Sequence, residues 1–312
     1  MPSFPTSLET IAHWAASVPE YWPEACTRPA LHAIADTVAC MVSGAGDEAA
    51  RGVLTTTSSW SIAGGPSTFV GSGGKTGPAP FVAYANGTAA HAQDFDDNFL
   101  AALTHASAVL VPALLALGEE TGASGAEIID AYLVGLECHA ALGRGVNRSH
   151  YLKGWHATAT VGCIGTAAAC GRLLGLDAAR MTHAMSLGVS MAAGLKGQFG
   201  SHAKPMQAGM AAQNAIIAAS FARDGVIGRA EVLENNYGFL NLFGGEAPPG
   251  WDFDCFPLGD SQDNGVHVIE TVGLAPKCHP CCGSTHKSVD NMIDLRARDD
   301  LKPEDVESLH TR

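Results

Sequence analysis

The stretch that most constrains the fold is residues 86–107, where three acidic residues lie between two histidines. The acids are Asp94, Asp96 and Asp97, and the histidines are His91 and His105. Alanine-rich apolar segments flank this stretch on both sides, and such segments normally become buried helices. Titratable groups inside a helical interior are costly unless they are paired or used. The pattern therefore predicts either a functional cluster or a solvated loop between two helices.

Composition narrows the possible functions. The 312 residues suit one large domain, or one domain plus a smaller one. The formal charge is -13 with only 18 lysines and arginines, so no nucleic-acid surface is predicted. The N-terminus lacks the basic region of a signal peptide, and the uncharged run 205–222 contains amides that indicate a buried helix and no membrane span. Nine cysteines without a secretory signal indicate reduced thiols and a cytoplasmic protein.

Hydrophobic periodicity predicts a mainly α fold with a large all-helical domain. The predicted helices are 6–18, 24–43, 79–92, 107–118, 125–143, 157–174, 177–195 and 205–224. The last three are rich in Ala, Gly and Thr, whose small side chains allow helices to approach closely in the interior. One short strand is predicted at 67–70.

The pattern changes after residues 235–263, an irregular stretch rich in Gly, Pro and Asp that indicates a domain boundary. We therefore expect a helical domain over 1–262 and the start of a smaller α/β domain over 263–312. Its predicted elements are a strand, a helix and a second strand, at 266–272, 284–298 and 306–310.

The glycine-rich segment from Gly71 to Gly77 superficially resembles a phosphate-binding loop. A Walker A loop needs glycine where Phe69 stands, and a dinucleotide fingerprint needs glycine or alanine at Thr76. No βαβ unit surrounds the segment. A flexible turn is therefore the prediction.

A second candidate site is the cluster of cysteines and histidines near the C-terminus. Its members are Cys278, His279, Cys281, Cys282 and His286. The pair Cys278 and Cys281 has the spacing of half a zinc site, but no second half follows. The sequence therefore predicts no metal, and a zinc-binding module stays an alternative.

Two predicted helices begin beside a cationic or titratable side chain. His156 directly precedes the helix at 157, and Lys204 lies at the start of the helix at 205. Helix N-termini offer free N–H groups and the positive end of the helix dipole, which favours anions. If the two helix starts converge, they form a carboxylate site, to which Lys277 adds a third cation. The alternative is that each side chain faces solvent.

Six sequence blocks together resemble the MmgE/PrpD family, whose members include 2-methylcitrate dehydratases, cis-aconitate decarboxylases and iminodisuccinate epimerases. The blocks are NGTAAHAQDFDD (86–97), GWHATATVG (154–162), LLGLD (173–177), KPMQAGMAA (204–212), YGFL (237–240) and KCHPCCGSTH (277–286). They follow the family's order, cover nearly the whole chain and are specific in combination. No single activity is favoured by them.

The resemblance implies a helical domain plus a smaller α/β domain with the active site between them, a homodimer, and chemistry without a metal or organic cofactor. Carried over by motif, the acid/base histidines are His105 and His156, and the residues that shape the substrate pocket are Asp94, Lys204 and Lys277. Further substrate contacts are expected from His91, Asn98 and His286.

Two positions depart from the family pattern, and both bear on substrate choice. Asn98 stands where the family often has threonine, and Ala106 follows His105 where proline is frequent. Relatives are also considerably longer, so the chain is expected to stop inside the small domain.

Dehydration, decarboxylation and epimerisation of a di- or tricarboxylate share a carbanion or enolate intermediate. That chemistry needs a base of near-neutral pKa, which histidine provides, and fixed positive charge. The expected function is therefore a cofactor-independent lyase acting on a small di- or tricarboxylate, of the 2-methylcitrate dehydratase type. The alternatives are an epimerase of an imino- or aminodicarboxylate, and a non-catalytic short relative.

Overall fold

The structure is a computed structural model that describes residues 5–244, 266–299, 302–308 and 310. Thirteen α-helices are found in these residues: α1 (Ser7–Ser17), α2 (Glu24–Gly44), α3 (Glu48–Trp60), α4 (Ala79–His91), α5 (Ser107–Thr121), α6 (Gly125–Val146), α7 (Ser149–Lys153), α8 (Ala157–Leu173), α9 (Ala178–Met191), α10 (Ala203–Arg223), α11 (Phe239–Gly244), α12 (Val268–Thr271) and α13 (His286–Asp299). The mainly α class is confirmed, as are the eight helices predicted before residue 225. Among the described helices, none has the length and apolar run needed to cross a bilayer.

The core is built around α8, in which every residue from Ala157 to Gly171 is buried. Helices α5, α6, α9 and α10 pack around it. The predicted interior cluster of helices α8, α9 and α10 is therefore confirmed.

Helices α4 and α10 cross antiparallel at two glycines, and this crossing positions the site. A Cβ on Gly209 would lie 2.2 Å from the carbonyl oxygen of Tyr84, and a Cβ on Gly87 would lie 2.9 Å from the Cα of Gly209. The backbones touch because neither glycine has a side chain. The end of α4 at His91 is thereby placed beside the start of α10 at Lys204.

The glycine-rich segment is a turn, as predicted. It joins two short antiparallel strands, β1 (Ser67–Thr68) and β2 (Thr76–Gly77). The amide of Phe69 donates to the carbonyl oxygen of Lys75 at 3.0 Å, which closes the turn. The strand predicted at 67–70 is shorter than expected.

The strand predicted at 266–272 is wrong, because Val268–Thr271 forms the short helix α12. The carboxylate of Glu137 on α6 accepts a 2.6 Å hydrogen bond from the amide of Val268, and Glu270 accepts from the amide of His267 at 3.1 Å. Both bonds satisfy amides at a helix start. The decisive acceptor is 131 residues away in sequence, so local alternation gave no sign of it.

The remaining expectations for the C-terminal part have mixed outcomes. The helix predicted at 284–298 is confirmed as α13. Residues 306–308 and 310 are not in a strand, and a 3-10 turn at Pro303–Asp305 precedes them. The predicted boundary at 235–263 contains helix α11, and its residues from 245 onward lie outside the described residues. The division into two domains stays a prediction.

Candidate active site

Four helix ends meet at the predicted cluster. His91 is the last residue of α4, His156 is the N-cap of α8, Lys204 lies in the first turn of α10, and His105 precedes α5 by two residues. The amide of His105 donates to the hydroxyl of Thr158 at 3.0 Å, which ties the loop before α5 to the first turn of α8. The cluster is therefore held by the core helices, and the interpretation as a solvated loop is wrong.

Asp96 is the centre of the cluster. Its two carboxylate oxygens each lie 2.9 Å from Nδ1 of His91, and one of them lies 3.2 Å from Nδ1 of His105. Nδ1 of His105 is also 3.0 Å from the carbonyl oxygen of Asp97. All of these partners are acceptors, so each ring carries a hydrogen on Nδ1. In their neutral forms both rings therefore have the lone pair on Nε2.

Asp96 and His91 differ in charge near neutral pH. Burial alone would raise the pKa of Asp96, but the adjacent His91 and His105 outweigh it and hold the pKa well below the usual range. Burial lowers the pKa of His91 to about 4, against the opposing effect of Asp96. Near neutral pH, Asp96 is thus a buried carboxylate that accepts a hydrogen bond from the neutral imidazole of His91.

His156 stacks on His91, with the ring centroids 5.9 Å apart. Its Nδ1 is 2.7 Å from Oε1 of Gln207, and Phe199 packs edge-on against its ring at 5.0 Å. Burial holds the pKa of His156 well below its usual range. The ring is therefore uncharged near pH 7, and its pKa is lower than the near-neutral value expected from the sequence.

Asp94 is paired with both predicted lysines. Its Oδ1 is 2.6 Å from Nζ of Lys277 and 3.0 Å from Nζ of Lys204, and Lys277 also donates to its carbonyl oxygen at 2.6 Å. Asp94 has a φ of 50°, which is uncommon for a residue with a side chain. Burial would raise its pKa, but the two lysines outweigh this effect and lower it.

Exposure shows which side of the cluster is open. The side chains of Asp94, His105 and Lys204 are 26%, 17% and 15% exposed, whereas that of Lys277 is fully buried. Asp94, His105 and Lys204 therefore form the accessible edge. Lys277 contacts Asp94 from a fully buried position, and its expected part in the substrate pocket stays a prediction.

The same residues raise the question of a bound metal. Ligand atoms of His91, Asp94, Asp96 and His105 lie within 4.8 Å of one another. However, Oδ1 of Asp94 already contacts two ammonium groups, and a cation placed there would be repelled by both. This donor set fits an acid/base cluster better than a metal site.

Asn98 and His286 lie at the segment that follows α12. Asn98 pairs with Ala275 through two backbone hydrogen bonds of 2.9 Å, and its side chain lies against Gly283. His286 begins α13, where its Nε2 is 3.4 Å from the carbonyl oxygen of Cys281. Within the described part of the chain, no hydrogen bond or ion pair joins His286 to the Asp96 cluster.

The cysteines of this segment do not converge with its histidines. Cys278 and Cys282 are exposed, and Cys281 Sγ contacts the hydroxyl of Thr285 at 3.3 Å. His279 pairs with Asp290 at 2.8 Å. Among the described residues, the groups of three or more possible metal ligands lie elsewhere, so the geometry does not support the zinc alternative.

Sequence reasoning missed the roles of Asp96 and Gln207. Asp96 was one acid of a triplet with nothing to single it out. Gln207 lies three residues after Lys204, and this spacing puts both side chains on one face of a helix. The spacing was the signal that could have placed Gln207 in the site. The third acid of the triplet, Asp97, has a different side-chain partner. Its carboxylate accepts from Ser107, and burial, which outweighs this bond, raises the pKa of Asp97 to about 7.

Comparison with known proteins agrees with the motifs. The family described as "MmgE/PrpD N-terminal domain" matches residues 9–252. A cis-aconitate decarboxylase of Aspergillus terreus is 31% identical in an alignment of 301 positions that covers 92% of this chain and 60% of the relative.

Two mammalian proteins are also similar. The cis-aconitate decarboxylase of Homo sapiens is 32% identical over 55% of this chain and 36% of its own length, and that of Mus musculus is 29% identical over 70% and 44%. The chain thus spans about 60% of the fungal relative and less of the mammalian ones. The match over residues 9–252 shows that the chain belongs to the MmgE/PrpD family.

Proposed function

We propose that the protein carrying this chain is a cofactor-independent lyase that removes water or carbon dioxide from a small di- or tricarboxylate. The observation that carries the proposal is the buried imidazole of His156, stacked on His91, in the same cluster as the Lys204–Asp94–Lys277 group. Similarity to cis-aconitate decarboxylases supports the lyase class and the tricarboxylate.

Proton transfer is assigned to the two histidines at the ends of the cluster. His156 is neutral because it is buried, so its Nε2 can accept a proton from a carbon next to a carboxylate. His105 lies at the accessible edge, where it can deliver a proton to the leaving group or to the carbanion. Positioned general acids and bases contribute roughly 10²- to 10⁴-fold each.

We assign recognition of the substrate's negative charge to the lysine pair and the helix ends. Two ammonium groups share the single carboxylate of Asp94, so this group of three carries net positive charge. Lys204 is the more exposed of the two lysines, and we assign it to bind a substrate carboxylate. The start of α8 beside His156 adds the positive end of a helix dipole. Such fixed charges stabilise an enolate as it forms.

Incubation of the protein with a panel of tricarboxylates in deuterated water tests the proposal, with products followed by proton NMR. The proposal expects a new unsaturated product with loss of water or carbon dioxide. Recovery of inverted, deuterated substrate would contradict it and favour the epimerase. Thermal stabilisation by the panel without turnover would contradict it and favour a non-catalytic relative.

A further inference from the structure

Gln207 sits on the same face of α10 as Lys204 but serves a different partner. Lys204 reaches Asp94, whereas Oε1 of Gln207 lies 2.7 Å from Nδ1 of His156. The side chain of Gln207 is buried with the ring. Its amide is therefore part of the cluster, although it carries no charge and cannot itself transfer a proton.

The orientation of this amide follows from its second contact. Nε2 of Gln207 lies 3.3 Å from the carbonyl oxygen of Leu195, which can only accept a hydrogen bond. The amide nitrogen must face Leu195, so the amide oxygen faces His156. An oxygen acceptor at Nδ1 requires the hydrogen of a neutral ring to be on Nδ1.

The backbone around His156 holds this arrangement in place. The amide of His156 donates to the carbonyl oxygen of Gly194 at 3.0 Å, and Trp155 pairs with Leu195. Residues 194 and 195 thus anchor both the histidine and the glutamine. A Cβ on Gly194 would lie 3.2 Å from Oε1 of Gln207, so the missing side chain leaves room for the contact.

The other ring nitrogen of His156 is available for proton transfer. Nε2 of His156 is buried and has no hydrogen-bond partner among the described residues. Gln207 also differs from Asp96, the partner of His91, because a neutral amide does not stabilise an imidazolium as a carboxylate does. An amide at this position therefore fixes the ring without raising the pKa of His156 as a carboxylate would.

We propose that Gln207 is a positioning residue that holds His156 in the tautomer with hydrogen on Nδ1, so that Nε2 presents the reactive lone pair. The catalytic use of that lone pair rests on the proposed function. The tautomer itself is a property of the free protein and is measured without substrate.

Nitrogen NMR of histidine side chains in the ¹⁵N-labelled protein tests the tautomer. Near neutral pH, we expect His156 to show a protonated Nδ1 and an unprotonated Nε2. In Gln207→Leu this preference is lost, whereas the matched control Gln213→Leu on the same helix keeps it. A protonated Nε2 in the wild-type protein, or an unchanged tautomer in Gln207→Leu, would overturn the proposal.

Gln207→Glu keeps an acceptor oxygen and remains informative if Gln207→Leu fails to fold. It preserves the Nδ1–H tautomer, and its negative charge raises the pKa of His156. A base works in its neutral form, so the acidic limb of the pH–rate profile moves to higher pH. Loss of the tautomer in Gln207→Glu, or an acidic limb that does not move in an active enzyme, would contradict the proposal.

The two hypotheses fail separately. A correct tautomer in a protein that turns over no carboxylate supports the assignment of Gln207 and contradicts the lyase. Turnover by a wild-type enzyme whose His156 carries hydrogen on Nε2 supports the lyase and overturns the assignment.

Discussion

At the scale of single residues, the site depends on two sets of contacting side chains. Asp96 holds two imidazoles, and Asp94 holds two ammonium groups. Each set contains one carboxylate with two partners. When one partner is removed, the remaining partner stabilises the carboxylate only in part. Buried charges without partners are strongly destabilising.

Lys277→Met tests how much the buried lysine contributes to the stability of the protein. Because Lys277 is fully buried and its partner Asp94 is partly exposed, we expect the free energy of unfolding to fall by about 2–4 kcal/mol. Urea denaturation measures the change. Lys75→Met, at an exposed turn, is the control and should stay within about 0.5 kcal/mol of wild type. An equal effect of both substitutions would contradict the role of the pair.

A double-mutant cycle with Asp94→Asn gives the coupling within this group. Since Lys277 and Asp94 are in direct contact, we expect the double variant to lose clearly less stability than the sum of the single losses. Strict additivity in urea denaturation would mean that the ion pair contributes nothing.

The structure brings together six of the residues that the sequence singled out, namely His91, Asp94, His105, His156, Lys204 and Lys277. Titratable side chains attract notice because they are rare in apolar helices. Gln207 was missed because an amide in a helix carries no comparable signal, and its role exists only through the position of His156. The catalytic and substrate roles of all these residues stay predictions.

At the scale of elements, glycines set the position of the helix ends. The crossing of α4 and α10 at Gly87 and Gly209 places the end of α4 at His91 beside the start of α10 at Lys204. The sequence indicated such close packing through small residues, but could not say which helices pair. The strand expected at 266–272 shows the same limit, because its helical start depends on Glu137 of a distant helix.

Gly209→Ala is expected to destabilise the protein by about 2–3 kcal/mol through overpacking. The new Cβ would meet the backbone oxygen of Tyr84 at 2.2 Å, which cannot yield without moving α4. Gly52→Ala is the matched control, since a Cβ there meets nothing within 4 Å on helix α3. This control should gain about 0.5–1 kcal/mol. Thermal unfolding measures both, and a loss in Gly52→Ala equal to that in Gly209→Ala would refute the crossing.

At the scale of the whole molecule, the helical interior contains several histidines that are buried and neutral. The pKa is lowered by burial in His91, His139, His150 and His156. In the unfolded chain these rings bind protons below about pH 6.5. The unfolded state then binds more protons than the folded state, so stability is full above pH 6.5 and falls as the pH decreases. Asp97, with its raised pKa, opposes this trend.

His139→Gln isolates one of these rings outside the site. Burial lowers the pKa of His139 to about 3, and its only described side-chain partner is the hydroxyl of Thr166 at 3.1 Å. We expect the dependence of unfolding free energy on pH between about 6 and 4 to become shallower by roughly 1.4 kcal/mol per pH unit, the effect of one proton. His13→Gln, an exposed position on α1, should leave the slope unchanged. A slope unchanged in both variants would contradict the neutral buried ring.

The homodimer implied by the resemblance stays a prediction at this scale. Light scattering on the purified protein gives its mass in solution. A monomer at micromolar concentration would contradict the expectation.

Turnover of cis-aconitate and related tricarboxylates by His156→Asn, compared with wild type and with His13→Gln, decides whether His156 is the catalytic base. We expect a wild-type rate that His13→Gln retains and that His156→Asn lowers by at least about 100-fold, with circular dichroism unchanged. An active wild-type enzyme whose rate is the same in His156→Asn would show that this buried imidazole is not the base.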